Sequence, residues 1–120
     1  MAKILVIEDR PIDMKLTCFF LQKFGHSILQ AVDAEAGLTL ARKNQPDLIL
    51  MDLQLPGTDG LTATTLLKQD STTVAIPIIA LTALAMKSDH DKSLAAGCDA
   101  YLAKPMHYKQ LHAIVNQHLI

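Results

Sequence analysis

The run KILVI at Lys3–Ile7 and the run DLILM at Asp47–Met51 decide the fold of this chain. Each is a short, continuous stretch of aliphatic residues, which is typical of a β-strand that is covered on both faces. Each is followed, after a turn or loop, by a segment whose apolar residues recur with helical spacing. The two runs therefore predict a parallel sheet with helices packed on both of its sides.

The same alternation of strand and helix runs along the whole chain. The predicted strands are Lys3–Ile7, Ser27–Ala31, Asp47–Met51, Ile76–Leu81 and Ala100–Ala103. The predicted helices are a segment from Pro11 to Phe24, Ala34–Gln45, Leu61–Asp70, Met86–Gly97 and His107–Ile120. Five strand–helix pairs predict an α/β fold, a doubly wound five-stranded parallel sheet with right-handed crossovers.

Two of the helices have distinctive apolar patterns. In the first, apolar side chains recur at positions i, i+4, i+7, i+8 and i+12, which is one face of an α-helix. These residues are Ile12, Leu16, Phe19, Phe20 and Phe24, and Gly25 follows them. The segment Met86–Gly97 has only Met86, Leu94 and Ala95 to anchor it, so we expect it to be among the least stable elements.

Composition limits the function classes. With 120 residues, the chain has the length of one domain, and with half of its residues hydrophobic and 19% charged it is not a disordered chain. A net charge of -1 excludes a broad basic surface for nucleic acid or anionic lipid. Cys18 and Cys98 are expected to be reduced thiols, and no signal peptide or membrane span is present. We expect a soluble, cytoplasmic protein.

Polar residues follow four of the five predicted strands. Glu8 and Asp9 follow the first, Asp52 the third, Thr82 the fourth and Lys104 the fifth. In open parallel sheets, ligands bind outside the carboxyl ends of the strands. Each residue also has a plain structural interpretation, such as a helix cap for Asp9 or Thr82, a turn for Asp52 and a solvated side chain for Lys104. Their corresponding positions on independent strands favour a shared site.

The residue types indicate a metal and a phosphoryl group. Adjacent carboxylates repel one another, so grouping Glu8, Asp9 and Asp52 requires a cation, and oxygen ligands of this kind suit Mg²⁺. The sequence has neither a glycine-rich nucleotide loop nor a Cys–His or GxSxG nucleophile. The candidate nucleophile is therefore a carboxylate, which can accept a phosphoryl group as an aspartyl phosphate.

Four motifs together resemble the response-regulator receiver domains of two-component signalling. They are KILVIED, DLILMDLQLP, IIALTA and AYLAKP, and the resemblance covers the chain from Lys3 to the last helix. Within the family, the runs DLILMDLQLPGTDG and ALTALAMKSD…GCDAYLAKP resemble single-domain receivers of the DivK cell-division type, and also receivers joined to hybrid histidine kinases. The resemblance implies one receiver domain over residues 1–120, with the flavodoxin-like or CheY-like strand order 2-1-3-4-5.

The resemblance also implies a role for each site residue. Asp52 would accept the phosphoryl group. Mg²⁺ would be held by Asp9, by Asp52, by the backbone carbonyl of Gln54 and, through a water molecule, by Glu8. The phosphoryl oxygens would be bound by Lys104, by the hydroxyl of Thr82 and by the backbone N–H of Ala83. Tyr101 matches an aromatic switch position, and the peptide bond before Pro105 is expected to be cis.

The resemblance implies a signalling switch rather than a metabolic enzyme, one that catalyses only its own phosphorylation and dephosphorylation. The donor would be a histidine kinase or a histidine phosphotransfer protein. The signal would pass to a downstream protein through the face formed by the fourth predicted helix, the fifth strand and the last helix. We expect a monomer or weak dimer that binds neither nucleic acid nor membrane.

Two departures from the family pattern and two alternative functions stay open. Arg10 stands where a small polar or acidic residue is usual, so it either reaches the site or points to solvent. Leu84 cannot position an attacking water, which predicts slow loss of the phosphoryl group. The chain could instead act by phosphate-independent protein binding, or be a receiver excised from a hybrid kinase. A flavin carrier of the same architecture is disfavoured because no phosphate loop follows the first strand.

Overall fold

A computed structural model describes residues 2–55, 57–82, 91, 94–104 and 107–119. The expectations for Ala83, Leu84 and Pro105, and most of the predicted helix Met86–Gly97, lie outside the described residues. Within the described part of the chain, no helix is both long enough and apolar enough to cross a membrane.

The sheet has five strands, all parallel. In chain order they are β1 (Lys3–Ile7), β2 (Ser27–Ala31), β3 (Leu48–Asp52), β4 (Ile78–Thr82) and β5 (Ala100–Ala103). Their spatial order is β2-β1-β3-β4-β5, which confirms the predicted topology. In this order β1 and β3 are neighbours at the centre of the sheet, so the residues that follow β1 lie beside the end of β3.

Two strands, β3 and β4, have boundaries that differ from the prediction. β4 begins at Ile78 rather than Ile76 because Pro77 has no N–H, although its carbonyl oxygen still accepts from the Ile49 N–H at 2.9 Å. β3 is shifted by one residue: Asp47 lies before it, with a side chain that accepts from the Lys3 N–H at 2.8 Å. Asp52 is thus the last residue of the strand and pairs with Leu81.

Four helices have described boundaries. They are α1 (Pro11–Lys23), α2 (Ala34–Asn44), α3 (Gly60–Gln69) and the C-terminal helix (Tyr108–His118). α2 and α3 begin at aspartate caps, because Asp33 accepts from the Ala36 N–H and Asp59 from the Thr62 N–H. α2 ends one residue before the predicted Gln45, which adopts a left-handed conformation at φ 48°. Between β4 and β5, Asp91 and residues 94–96 have helical backbone.

Alternate residues of the central strands build two hydrophobic cores. Leu5 and Ile7 of β1 pack on one side of the sheet with residues of α2 and α3. Ile4 and Val6 pack on the other side with α1 and the C-terminal helix. All four side chains are fully buried, as expected for a strand covered on both faces. The central strands are therefore enclosed between the two cores up to the point where they end.

The apolar pattern of α1 does not face the core as a whole. Ile12 is 81% exposed, Leu16 49% and Phe19 52%, whereas Phe20 and Phe24 are half-buried. The helix packs on the sheet with a neighbouring face, whose buried residues are Met14, Thr17, Cys18 and Leu21. The spacing correctly predicts a helix here. However, its isoleucine and phenylalanines mark a partly exposed face of the helix, and the buried face is formed in part by thiol, thioether and threonine side chains.

Candidate functional site

Three carboxylates converge where β1 and β3 end. Each of Glu8, Asp9 and Asp52 offers an oxygen atom, and these three atoms all lie within 4.8 Å of one another. Glu8 and Asp52 are almost completely buried, with 1% and 2% of their surface exposed. The parallel pairing of β1 with β3 brings them together. Ile7 lies opposite Met51, so Glu8, which directly follows β1, lies beside Asp52, the last residue of β3.

The hydrogen bonds in this cluster leave one oxygen without a partner. Oδ1 of Asp52 accepts from the Gln54 N–H at 3.0 Å, and Oε2 of Glu8 accepts from the Arg10 N–H at 3.3 Å. Oδ1 of Asp9 is buried and has no hydrogen-bond partner among the residues that the structure describes. Because a buried carboxylate oxygen is costly to leave unpaired, this atom indicates a place for a cation or a bound water.

Lys104 supplies the positive charge of the site. It directly follows β5, and its backbone N–H donates to the Thr82 carbonyl at 2.7 Å. Its Nζ donates to Oε1 of Glu8, lies 3.3 Å from Oδ2 of Asp13 and lies 3.5 Å from Oδ2 of Asp52. The side chain is only 11% exposed, so these ion pairs are poorly screened by water.

Burial and hydrogen bonding move the pKa values of the three charged groups apart. Burial, together with a hydrogen bond to Asp52, raises the pKa of Glu8 to about 7 and outweighs the opposing effect of Lys104. Burial also acts to raise the pKa of Asp52, but hydrogen bonds from Glu8 and the Gln54 N–H, with the charge of Lys104, lower it overall. Burial disfavours the charged form of Lys104, yet its hydrogen bond to Glu8 and the charges of Asp52 and Glu8 raise its pKa. Asp52 is therefore an ionised carboxylate beside a cationic amine.

The residues fit a divalent cation of the hard, oxygen-seeking type. They provide carboxylate oxygens and include one buried oxygen that has no partner in the described part of the chain. Together they carry more negative charge than Lys104, their described cationic neighbour, compensates. Mg²⁺ prefers this kind of ligand and usually keeps several waters besides. Glu8, Asp9 and Asp52 are the described residues that could hold it.

Thr82 and Tyr101 lie on one side of the sheet. Thr82 is the last residue of β4 and is buried, and Tyr101 of β5 pairs with Ala80, two residues before Thr82. Because side chains alternate along a strand, Thr82 shares the face of Ala80, and Tyr101 packs against the core cluster that contains Ala80. Thr82 thus stands at the edge beside Asp52, with Tyr101 farther along the same face.

Arg10 is exposed at the rim of the site. Its side chain forms no ion pair with any of the residues that the structure describes, although its backbone N–H contacts Glu8. This placement agrees with the interpretation in which Arg10 points to solvent. Gln54 is also exposed, and the observed contact of its backbone with Asp52 is through the N–H.

Two residues near the site were not found by sequence reasoning. Asp13, in the first turn of α1, is an ion-pair partner of Lys104. Gly60 begins α3, and a Cβ atom on it would overlap the carbonyl oxygen of Asp52 and the Cα of Leu53. Asp13 could have been predicted as a site residue, because it is a carboxylate one helical turn past the acid pair. Nothing in the local sequence indicates that the backbone of Gly60 approaches that of Asp52 and Leu53.

Comparison with known proteins decides the family. The family profile described as the response regulator receiver domain matches residues 4–116. The chain belongs to the response-regulator receiver family. Receivers of this family serve two-component systems as signalling domains that are switched by phosphorylation.

The receiver resembles both curated proteins and solved structures over nearly its full length. It is 41% identical over 103 residues to the polar-differentiation response regulator DivK of Brucella anthropi. The matched region covers 86% of this chain and 84% of DivK. A crystal structure of a response regulator from Chloroflexus aurantiacus superposes with a TM-score of 0.95 at 30% identity, covering 98% and 96% of the two chains. The receiver domain of the sensor histidine kinase PA1611 from Pseudomonas aeruginosa was solved with a magnesium ion in its active-site cleft. It superposes with a TM-score of 0.91 at 34% identity, and the match covers 97% of this chain and 95% of that domain.

Proposed function

We propose that this receiver accepts a phosphoryl group on Asp52 from a phosphohistidine of a histidine kinase or histidine phosphotransfer protein. The observation that supports this most directly is the position of Asp52, ionised at the sheet edge with the Lys104 ammonium 3.5 Å from its Oδ2 atom. A nucleophile and a cation so placed are what phosphoryl transfer requires, because its transition state is stabilised mainly by positioning and charge neutralisation.

In the proposed reaction a carboxylate oxygen of Asp52 attacks phosphorus while the bond from phosphorus to the histidine nitrogen breaks. The electron pair of that bond stays on the imidazole, which takes up a proton, and the product is an acyl phosphate on Asp52. No general base is needed, because the pKa of Asp52 is lowered and its carboxylate is ionised at neutral pH. Lys104, being only 11% exposed, would place its charge next to the incoming phosphoryl oxygens.

We further propose that Glu8, Asp9 and Asp52 hold Mg²⁺, as their grouped oxygen atoms suggest. When bound, the ion would neutralise negative charge on the phosphoryl group. The backbone carbonyl of Gln54 is proposed as a further ligand on the basis of the family resemblance. Glu8 must lose its proton to act as a ligand, which the raised pKa of this group makes sensitive to pH.

The proposed signal begins at Thr82 and Lys104, with the backbone N–H of Ala83 as the third group on the phosphoryl oxygens. Movement of Thr82 toward the phosphoryl group would leave space that Tyr101, on the same face of the sheet, could fill. The change would alter the surface made by segment 86–97, β5 and the C-terminal helix, which a downstream protein would bind. Ordering by new phosphate contacts is a known route for such switches.

Incubation with acetyl phosphate and Mg²⁺ tests the acceptor. Intact mass spectrometry should show one added phosphate on the parent chain and none on Asp52→Asn. Asp91→Asn is a matched control, since Asp91 is exposed and does not belong to the carboxylate cluster. A phosphate that remains on Asp52→Asn would show that the acceptor is another residue.

Hydrogen exchange tests the signalling surface. Peptides that cover residues 86–119 should change their exchange rates when beryllofluoride, an analogue of the phosphoryl group, is added with Mg²⁺. Peptides from β2 and α2 serve as the internal reference. Equal exchange with and without the analogue, together with partner binding that ignores phosphorylation, would favour the phosphate-independent mode of action.

A further inference from the structure

Asp13 contacts Lys104 of the proposed phosphorylation site, although it belongs neither to the acid pair Glu8 and Asp9 nor to the sheet. It lies in the first turn of α1, and its Oδ2 atom is 3.3 Å from the Nζ atom of Lys104. Its side chain is 33% exposed, whereas those of Glu8 and Asp52 are almost fully buried. Among the described residues, Asp13 is therefore the carboxylate partner of Lys104 that is in substantial contact with water.

The ammonium group of Lys104 has three N–H donors and three carboxylates around it. Glu8, Asp13 and Asp52 each place one oxygen within 3.5 Å of Nζ. A new anion beside Asp52 competes with these acceptors for the N–H donors of Lys104. Asp13 can give up its contact more readily than Glu8, because water replaces the lost hydrogen bond of a partly exposed carboxylate, whereas an oxygen of the almost fully buried Glu8 would be left without a donor.

We infer that Asp13 is a positioning residue that holds Lys104 before phosphorylation and opposes the arrival of the phosphoryl group. This inference rests on the proposed function of Asp52. In the exchange, a Lys104 N–H turns from the Asp13 carboxylate to a phosphoryl oxygen, no proton is transferred, and Asp13 is released to water. The released carboxylate stays at the N-terminal turn of α1, where the helix dipole favours its negative charge.

The charge of Asp13 should act in opposite directions on two ligands of the same site. A cation is attracted by it, and a phosphoryl-like anion is repelled by it. Asp13→Asn keeps the size of the side chain but removes the charge, so the affinity for Mg²⁺ should fall about two- to fivefold. With Mg²⁺ saturating, the affinity for beryllofluoride and the rate of phosphorylation by acetyl phosphate should rise about three- to tenfold.

The purely structural alternative predicts a different result. If Asp13 only stabilised the first turn of α1, its loss would loosen the end of β1 and weaken both ligands together. Opposite changes in the two affinities therefore separate a positioning role from a structural one. Because Asp13 is partly exposed, the effect on beryllofluoride should also shrink as the salt concentration rises.

The test compares the full-length parent, Asp13→Asn, Asp13→Glu and Asp70→Asn. Asp13→Glu restores the charge and should return both affinities toward those of the parent. Asp70→Asn removes the same charge, together with an ion pair to Arg42, at the C-terminal end of α3 and thus at the opposite edge of the sheet. Since the chain has no tryptophan, binding is best followed by backbone amide NMR shifts during separate titrations with Mg²⁺ and with beryllofluoride.

Opposite changes in Asp13→Asn, reversed in Asp13→Glu and absent in Asp70→Asn, would support the inference. If the parent is phosphorylated on Asp52 but Asp13→Asn changes both affinities in the same direction, or changes neither, the inference is overturned and the proposed function stands. If the parent binds no beryllofluoride and takes up no phosphate on Asp52, the proposed function itself fails and the inference fails with it.

Discussion

The Nζ atom of Lys104 lies 3.5 Å from Oδ2 of Asp52, although a whole strand, β4, separates the strands that carry the two residues. The lysine reaches past the end of β4, where Thr82 lies, and its own backbone N–H is fixed to the Thr82 carbonyl. Its charge is thereby placed in the same cluster that is proposed to bind Mg²⁺. Among the described residues, Lys104 is the cation that pairs with the buried carboxylates Glu8 and Asp52.

Lys104 and Mg²⁺ should therefore compete for the same negative charge. We expect Lys104→Met to bind Mg²⁺ about tenfold more tightly than the parent, because a competing cation has been removed. The same variant should be phosphorylated by acetyl phosphate at a rate about ten- to a hundredfold lower, because the charge that neutralises the phosphoryl oxygens is lost. Metal titration and intact mass spectrometry measure the two effects. Lys109→Met, at an exposed position of the C-terminal helix, controls for the change in net charge.

The contribution of Glu8 to stability without metal should fall as the pH rises from 5 to 8. The pKa of Glu8 is raised from 4.5 to about 7 in the folded protein, so its protonated form is favoured by folding. This contribution is fully present below pH 4.5 and is lost as the pH rises through 7, and it amounts to at most about 3 kcal/mol. The lowered pKa of Asp52 acts in the opposite direction, but below its ordinary value of 3.8 and thus outside this window. Urea unfolding in EDTA at several pH values measures the effect.

Glu8→Gln provides the control for this pH dependence. The variant cannot titrate at position 8, so its unfolding free energy between pH 5 and 8 should change less than that of the parent. Saturating Mg²⁺ should also reduce the dependence in the parent, because the metal favours the ionised form of Glu8. A parent and variant with the same pH profile would mean that Glu8 is not the titrating group.

The sequence predicts the fold and the members of the site because both depend on residues at strand ends. Once the apolar runs are recognised as parallel strands, Glu8, Asp9, Asp52 and Lys104 must lie at one edge of the sheet. The structure does bring these four side chains together. Their proposed roles come from chemistry and from the family resemblance, and stay predictions until the acceptor and the metal are tested.

What the sequence could not predict depends on packing between elements that are distant in the chain. The contact of Asp13 with Lys104 depends on how α1 is rotated against the sheet. The same rotation decides which side of α1 is buried, and the strongest hydrophobic residues do not determine it. Thr17 and Cys18 are buried, whereas Ile12 is 81% exposed. Hydrophobicity alone thus gives the period of a helix more reliably than its orientation.

This orientation of α1 predicts a contrast between two of its side chains. Leu21 is fully buried in the core, so Leu21→Ala should lower the free energy of unfolding by about 2–5 kcal/mol. Phe19 is 52% exposed, and Phe19→Ala should cost less than about 1 kcal/mol despite the larger side chain that it removes. Urea denaturation of the two variants beside the parent measures both values. A larger loss for Phe19→Ala than for Leu21→Ala would mean that the helix is rotated differently.

Gly60 should be essential to the end of the strand that carries Asp52. A Cβ atom at this position would overlap the carbonyl oxygen of Asp52 and the Cα of Leu53, and neither backbone atom can move without shifting the strand end. We expect Gly60→Ala to destabilise the protein by about 2–4 kcal/mol and to slow phosphorylation of Asp52 even where the variant is folded. Gly57→Ala is the matched control: its φ of +71° strains a side chain, but nothing lies within 4 Å of the added atom. It should cost about 1 kcal/mol and leave phosphorylation nearly unchanged, so similar losses in the two variants would argue against close packing at Gly60.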